Sequence, residues 1–150
     1  MNPVSYFEIP VLDMARAIDF YAAVLGQTCE RVQIPGKDMA LLPHADGAPG
    51  ISGALVQGER YVPGNAGARI YMNVVDIPLT LFRAAQSGGA VRRHESAVGD
   101  FGCVAEIEDC EGNRIGLYSP APASGEDYAE TGGGFLGGGG GRLRARCFCC

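Results

Sequence analysis

The feature that most constrains this chain is an internal repeat of a strand, an aspartate and an amphipathic helix. The first copy runs from Tyr6 to Asp13 and continues into a predicted helix over 14–25, and the second runs from Arg69 to Asp76 and continues over 77–87. A solenoid needs more copies than two, because each unit buries its apolar face only against its neighbours. The repeat therefore predicts two half-domains that share one core, with a cleft between them.

Each copy is followed by three further predicted strands, so both halves have the order βαβββ. Phe7, Ile9 and Val11 alternate with other residues at the period of two that marks a strand with one face on a core. Asp13 stands where a helix N-cap is expected, and Gly26 stands where a left-handed C-cap is expected. The other predicted strands cover 28–34, 37–43, 52–57, 69–74, 90–94, 102–108 and 114–119, and the last two are joined by a hairpin loop over 109–113. We predict an α+β fold in one domain over 1–119, with modules at about 4–58 and 68–119.

Composition limits the partners of the chain. Its 150 residues carry a formal net charge of −5, whereas nucleic acids and anionic membranes require a basic surface. We therefore expect neither partner, and a small neutral or cationic ligand fits the net charge better. No secretory signal begins the sequence and no segment approaches the apolar length of a membrane span, so we expect a cytoplasmic protein.

The C-terminal segment differs from the rest of the chain. Residues 120–150 include a run of five glycines at 137–141 and end with Cys147, Cys149 and Cys150. Such a composition buries too little apolar surface to offset the conformational entropy of the chain. We predict that this segment is a disordered tail.

Two segments resemble a known family. The opening from Glu8 to Tyr21 and the closing segment from Asp109 to Ser119 are similar to the vicinal oxygen chelate superfamily, which includes glyoxalase I, bleomycin resistance proteins and extradiol dioxygenases. The resemblance implies that two βαβββ modules form a cupped mixed sheet, with helices on the convex face and a ligand in the concave face. It also implies a homodimer.

The resemblance further implies where a metal would bind. Metal-dependent members carry His or Glu at positions that correspond to Tyr6, Ala54 or its immediate neighbour, Arg69 and Gly116. None of these four is a usual ligand of a divalent metal. We therefore expect no cofactor, while a divalent metal held by other residues stays open. The two histidines, His44 and His94, lie elsewhere and are expected to be solvated.

The alternation of the strands assigns a polar set to the cup. Its members are Tyr6, Glu8, Arg69, Tyr71, Asn73, Glu106 and Tyr118. Glu8 is the candidate general base, and Arg69 is suited to bind a carboxylate or enolate. Two structural alternatives remain open, because Glu8 could instead pair with Arg69, and Glu106 could pair with Arg92 or Arg93.

Two functions of different classes follow. The first is a protein that binds a small organic ligand in a metal-free cup, in the manner of the bleomycin resistance proteins. The second is an enzyme of the glyoxalase-related group, a lyase, isomerase or dioxygenase, that uses Glu8 as general base or a divergent metal site. A third possibility is a cup that is closed by its own side chains.

Overall fold

The computed structural model describes residues 1–121, and the predicted tail lies almost entirely outside them. The elements in chain order are β1 (Phe7–Pro10), α1 (Met14–Leu25), β2 (Glu30–Ile34), β3 (Lys37–Leu41), β4 (Gly53–Gln57), β5 (Ile70–Asn73), α2 (Ile77–Gln86), β6 (Ala90–Ala97), β7 (Gly102–Glu108) and β8 (Arg114–Pro120). The two predicted βαβββ modules are confirmed. No helix within the described range has both the length and the apolar character needed to cross a membrane.

Both helices begin at the aspartates of the repeat. The Asp13 side chain accepts the backbone N–H of Arg16 at 3.0 Å, and the Asp76 side chain accepts that of Leu79 at 2.9 Å. These bonds satisfy N–H groups that the first turn of a helix leaves without a partner. Helix α1 ends at Gly26, whose φ of 70° lies in the left-handed region that a glycine adopts readily. The two caps therefore fix both helix starts.

The strands form two four-stranded sheets with the same internal order. The first sheet has the order β1-β4-β3-β2, and the second has the order β5-β8-β7-β6. Each sheet contains one parallel pair, between its first and last strands in the chain, and two antiparallel pairs. Strands β1 and β5 are thus edge strands of their own sheets, and each has one side without a strand neighbour among the described residues.

One apolar core joins the two modules. It includes Phe20 and Val24 of α1, Leu81 of α2, Leu55 of β4 and Leu117 of β8. Helices α1 and α2 also contact each other directly. Because both halves bury their apolar faces in the same core, the modules pair within one chain.

Several predicted boundaries were wrong by a few residues. Strands β2, β3 and β5 are shorter than predicted, and α2 ends at Gln86 with Ser87 as its C-cap. Strand β6 instead continues to Ala97, through register shifts against β7. The errors lie at strand and helix ends, where hydrogen bonding to a neighbour, rather than the local apolar pattern, decides which residues belong to the element.

Candidate functional site

A cavity of about 620 Å³ lies at the seam between the modules. Its walls come from β1, from the end of α1, from the β3–β4 loop and from all of β5. Its lining residues include Phe7, Leu25, Leu42, Arg69, Tyr71 and Asn73. We call this space the seam cavity. Its volume is within the range of sites for small organic ligands.

The seam cavity exists because the two modules differ in one loop. In the second module the short β7–β8 loop packs against the first module, where the Asn113 amide donates to the Pro10 carbonyl at 2.9 Å. The corresponding loop of the first module, between β3 and β4, is longer and approaches β5, with Gly50 beside the Asn73 side chain. The contact between the β3–β4 loop and β5 is therefore less tightly packed than the contact between the β7–β8 loop and the first module, and it leaves open space.

Strand β5 lines the seam cavity with consecutive residues. The alternation of the strand predicts that Ile70 and Met72 face the core while Arg69, Tyr71 and Asn73 face the cup. All five residues nevertheless line this one space. The reason is that β5 is an edge strand, so its open side presents side chains of both faces.

Tyr71 owes its position to a glycine. Tyr71 and Gly116 are register partners, and a Cβ atom built on Gly116 would collide with the Tyr71 ring. The ring thus lies over the space that a side chain on β8 would fill. The absence of a side chain at Gly116 therefore lets the Tyr71 ring pack against β8, where it lines the seam cavity.

Arg69 forms an ion pair with Glu106. Its Nη1 donates to Glu106 Oε1 at 2.8 Å, and the Arg114 Nε lies 3.3 Å from Glu106 Oε2. Glu106 is buried, at 7% exposure, so its carboxylate depends on these guanidinium groups for compensation. The sequence alternatives in which Arg69 pairs with Glu8, or Glu106 with Arg92 or Arg93, are wrong for the described residues. Arg92 instead pairs with Glu108 at 2.8 Å.

Glu8 lies apart from the seam cavity. Its Oε2 accepts the Tyr61 hydroxyl at 2.7 Å, and its Oε1 accepts the Tyr6 hydroxyl at 3.4 Å. Burial, followed by the negative charge of Glu8 and this hydrogen bond, raises the pKa of Tyr6. The Lys37 ammonium lies 5.4 Å from the centre of the Tyr61 ring. Glu8, the predicted general base, and Arg69, the predicted carboxylate-binding residue, thus have different surroundings.

Tyr61 covers part of the first sheet. It packs on a small cluster of Met39, Ala54 and Val56, which is separate from the main core. Ala54 is the register partner of Glu8, so this cluster lies on the predicted cup face of the first module. That part of the cup is filled by the protein's own side chains. Tyr61 lies in the linker between the modules, where no periodic pattern in the sequence marks it.

The remaining predicted polar residues lie outside the cavity lining. Tyr6 is exposed, and the Tyr118 hydroxyl donates to the Phe101 carbonyl at 2.6 Å. His94 is exposed, as expected for a solvated histidine. His44 is also mainly exposed, but it belongs to the β3–β4 loop and lines the seam cavity.

The residues do not fit a bound metal. Tyr6, Ala54, Arg69 and Gly116 offer a phenol, a methyl group, a guanidinium and no side chain, whereas first-row metals take imidazole, carboxylate or thiolate ligands. Within residues 1–121 there is also no group of three or more His, Cys, Asp or Glu residues that could hold a metal ion. We therefore derive no chemistry through a metal.

Comparisons with known proteins agree on the fold. No family profile matches the chain, and no curated protein matches it. Among solved structures, a glyoxalase I mutant from Zea mays is similar with a TM-score of 0.60 and 19% identity, over 78% of this chain and 46% of that chain. This chain thus spans about half the length of the maize enzyme.

Two other similar structures are matched over nearly their whole length. A glyoxylase/bleomycin resistance protein/dioxygenase domain from Frankia sp. EAN1pec has a TM-score of 0.59 and 16% identity, over 80% of this chain and 98% of that chain. A glyoxalase-related enzyme from Fulvimarina pelagi has a TM-score of 0.57 and 15% identity, over 84% and 96%. The described part of the chain therefore has the fold of these glyoxalase and glyoxalase/bleomycin resistance proteins.

Proposed function

We propose that this protein binds a small organic molecule in the seam cavity, without a metal. The observation that carries the proposal is the cavity itself, which combines apolar walls with the polar side chains of Arg69, directly before β5, and of Tyr71 and Asn73 on β5. A concave, mostly apolar space with a few polar groups is the usual form of a small-molecule site. Arg69, Tyr71 and Asn73 are three of the residues that the sequence analysis assigned to ligand binding.

The enzyme alternative has less support from the geometry. It assigns proton abstraction to Glu8, but this carboxylate accepts hydrogen bonds from Tyr61 and Tyr6 and does not line the seam cavity. A general base has to reach the proton that it removes, directly or through one water. Binding requires no such group, so the cavity supports a binding function best.

A neutral apolar dye tests the proposal. We expect N-phenyl-1-naphthylamine to bind wild-type protein with enhanced fluorescence. The Ala48→Trp substitution introduces a large ring on the β3–β4 loop at the cavity wall. It should weaken binding about tenfold or more, which corresponds to about 1.4 kcal/mol. Ala66→Trp is the matched control, because Ala66 is also exposed on a loop but does not line the cavity.

The two variants separate cavity binding from binding at the surface. Equal dye affinity in Ala48→Trp and Ala66→Trp would refute a site in the seam cavity. Glu8→Gln adds a second comparison and should leave the dye affinity unchanged. Metal analysis of protein purified without chelator, with zinc, nickel, manganese and iron available, completes the test, because near-stoichiometric metal would contradict the metal-free proposal.

A further inference from the structure

The charge of the seam cavity is opposite to that of the whole chain. The chain has a net charge of −5, yet the described residues that line the cavity include Arg69 and His44 and no aspartate or glutamate. Arg69 carries a permanent positive charge at neutral pH. The net charge favours a neutral or cationic ligand, but the cavity wall favours an anion.

The guanidinium of Arg69 is held in place by Glu106 but keeps N–H donors for a ligand. Its Nη1 donates to Glu106 Oε1. This bond uses one of the five N–H donors that an arginine carries. The Arg69 side chain keeps 34% of its exposure, while that of Glu106 keeps 10%. Glu106 therefore anchors the guanidinium from the protein side, and the rest of the group can meet a ligand.

The single carboxylate of Glu106 lies between two arginine side chains. It is the partner of both Arg69 and Arg114, so two guanidinium groups share one carboxylate. The Nε of Arg114 is buried, and its 3.3 Å contact with Glu106 Oε2 is an ion pair without the geometry of a hydrogen bond. One negative charge thus faces two positive charges in the group of Arg69, Arg114 and Glu106, beside the cavity that Arg69 lines.

The rest of the wall indicates what else the ligand carries. Phe7, Leu25, Leu42, Ile70 and Met72 give the cavity an apolar body. Water is less able to compete for a charged group beside such a wall, so a charge-assisted pair with Arg69 gains strength there. The matching molecule has an apolar body and an anionic group, and a carboxylate suits a guanidinium because its two oxygens can accept from two N–H donors.

We propose that the seam cavity selects small organic carboxylates, which the Arg69 guanidinium binds while Glu106 orients it. This inference rests on the proposed function and adds the class of ligand. Tyr71 and Asn73 lie on β5, shortly after Arg69 in the chain, and are exposed, so they are placed to donate further hydrogen bonds to the bound molecule.

The test uses three probes of one shape that differ in charge. They are 4-phenylbutyrate, 4-phenylbutyramide and 4-phenylbutylamine, each titrated against protein that is saturated with N-phenyl-1-naphthylamine. We expect the carboxylate to displace the dye at a concentration about tenfold below that of the amide, because a hydrogen bond to a charged partner exceeds a neutral one. The amine should be the weakest of the three.

Substitutions assign the selectivity to Arg69. Arg69→Met should make the carboxylate and the amide displace the dye at equal concentrations, each corrected for the dye affinity of that variant. Arg69→Met/Glu106→Gln removes the unpaired carboxylate as well and should give the same result if the single variant folds poorly. Arg92→Met is the matched control, since it deletes an arginine of the same sheet that pairs with Glu108 and does not line the cavity.

The outcomes separate this inference from the proposed function. If the dye binds in the cavity but the three probes displace it equally, or the amine displaces it best, carboxylate selection is refuted and the binding function stands. Retained preference for the carboxylate in both Arg69 variants would also refute it. If the dye does not bind at all, and calorimetry shows no binding of 4-phenylbutyrate, both proposals fail.

Discussion

The buried hydroxyl of Tyr21 offers the sharpest test of how the two modules are held together. Tyr21 of α1 is fully buried, and its hydroxyl donates to Asp109 Oδ2 of the β7–β8 loop at 2.6 Å. Asp109 is 3% exposed and also accepts the backbone N–H of Glu111 at 2.9 Å and that of Asn113 at 2.8 Å. One bond from the first module thus completes the hydrogen bonding of a carboxylate in the second module.

The Tyr21→Phe substitution removes this bond and little else. A hydrogen bond to a charged group contributes about 1.5 to 3 kcal/mol, and Asp109 keeps its other donors, so we expect a loss of about 2 kcal/mol in the free energy of unfolding. Asp109→Asn should cost more, about 3 to 4 kcal/mol, because the new amide nitrogen cannot accept and leaves buried donors without a partner. Urea unfolding followed by circular dichroism measures both, with an unchanged m value.

Tyr71→Phe is the control for the loss of a tyrosine hydroxyl. Tyr71 is 45% exposed, so its variant should remain within about 0.5 kcal/mol of the wild type. If Tyr21→Phe also stayed within that range, the hydroxyl would contribute nothing to the joint and the reasoning would be refuted. An equal cost for Tyr21→Phe and Asp109→Asn would contradict the assignment of Asp109 as the centre of the network.

The same bond predicts a pH dependence with a definite sign. Burial, followed by the charge of Asp109 and the hydrogen bond to it, raises the pKa of Tyr21 well above the ordinary tyrosine value of 10.0. The unfolded chain therefore releases this proton at a lower pH than the folded one, and the stability that the protonated hydroxyl supplies is lost as the pH rises above that value. Wild-type protein should lose stability in this alkaline range faster than Tyr21→Phe, which has no proton to release there.

Three further substitutions or modifications test other parts of the structure. Gly116→Ala should displace the Tyr71 ring, because the new Cβ collides with it, and should change dye affinity in the fluorescence titration. Glu111→Gln should lower the free energy of unfolding by about 2 to 4 kcal/mol in urea, because the buried Glu111 carboxylate accepts backbone N–H groups at the start of α1 and the Arg16 side chain. Cys110 has its pKa raised to about 11 by burial and by neighbouring carboxylates, so its alkylation by iodoacetamide, followed by peptide mass spectrometry, should be slow at pH 8 and accelerate about tenfold per pH unit.

The repeat made most of the fold predictable. Strand alternation, the Asp13 and Asp76 caps and the loop at 109–113 are local signals, and each one is confirmed in the structure. These signals work because capping and amphipathic burial depend on residues only a few positions apart. Both helix starts and the order of the strands could therefore be predicted without any knowledge of tertiary contacts.

The partners of charged residues could not be predicted in the same way. Arg69 pairs with Glu106 on a strand of the same sheet, and Glu8 accepts a hydrogen bond from Tyr61 in the linker. Both contacts join residues that are distant in sequence, and alternation assigns a residue to a face but not to a neighbour on that face. The polar set was therefore assigned to one common site. In the structure, Arg69, Tyr71 and Asn73 line the seam cavity, whereas Glu8 lies with Tyr6 and Tyr61.

The site arises where the two halves depart from their repeat. Both modules use the same strand order, but the β7–β8 loop is closed by the Asp109 network, whereas the longer β3–β4 loop leaves the seam cavity against β5. The same departure distinguishes the strands, because Glu8 on β1 corresponds in the repeat to Tyr71 on β5, and Tyr6 corresponds to Arg69. One half thus supplies a covered surface and a rigid joint, and the other supplies an open edge with a cationic side chain. A perfectly symmetric pair of modules would have closed both joints, so the binding function that we propose depends on the asymmetry rather than on the fold alone.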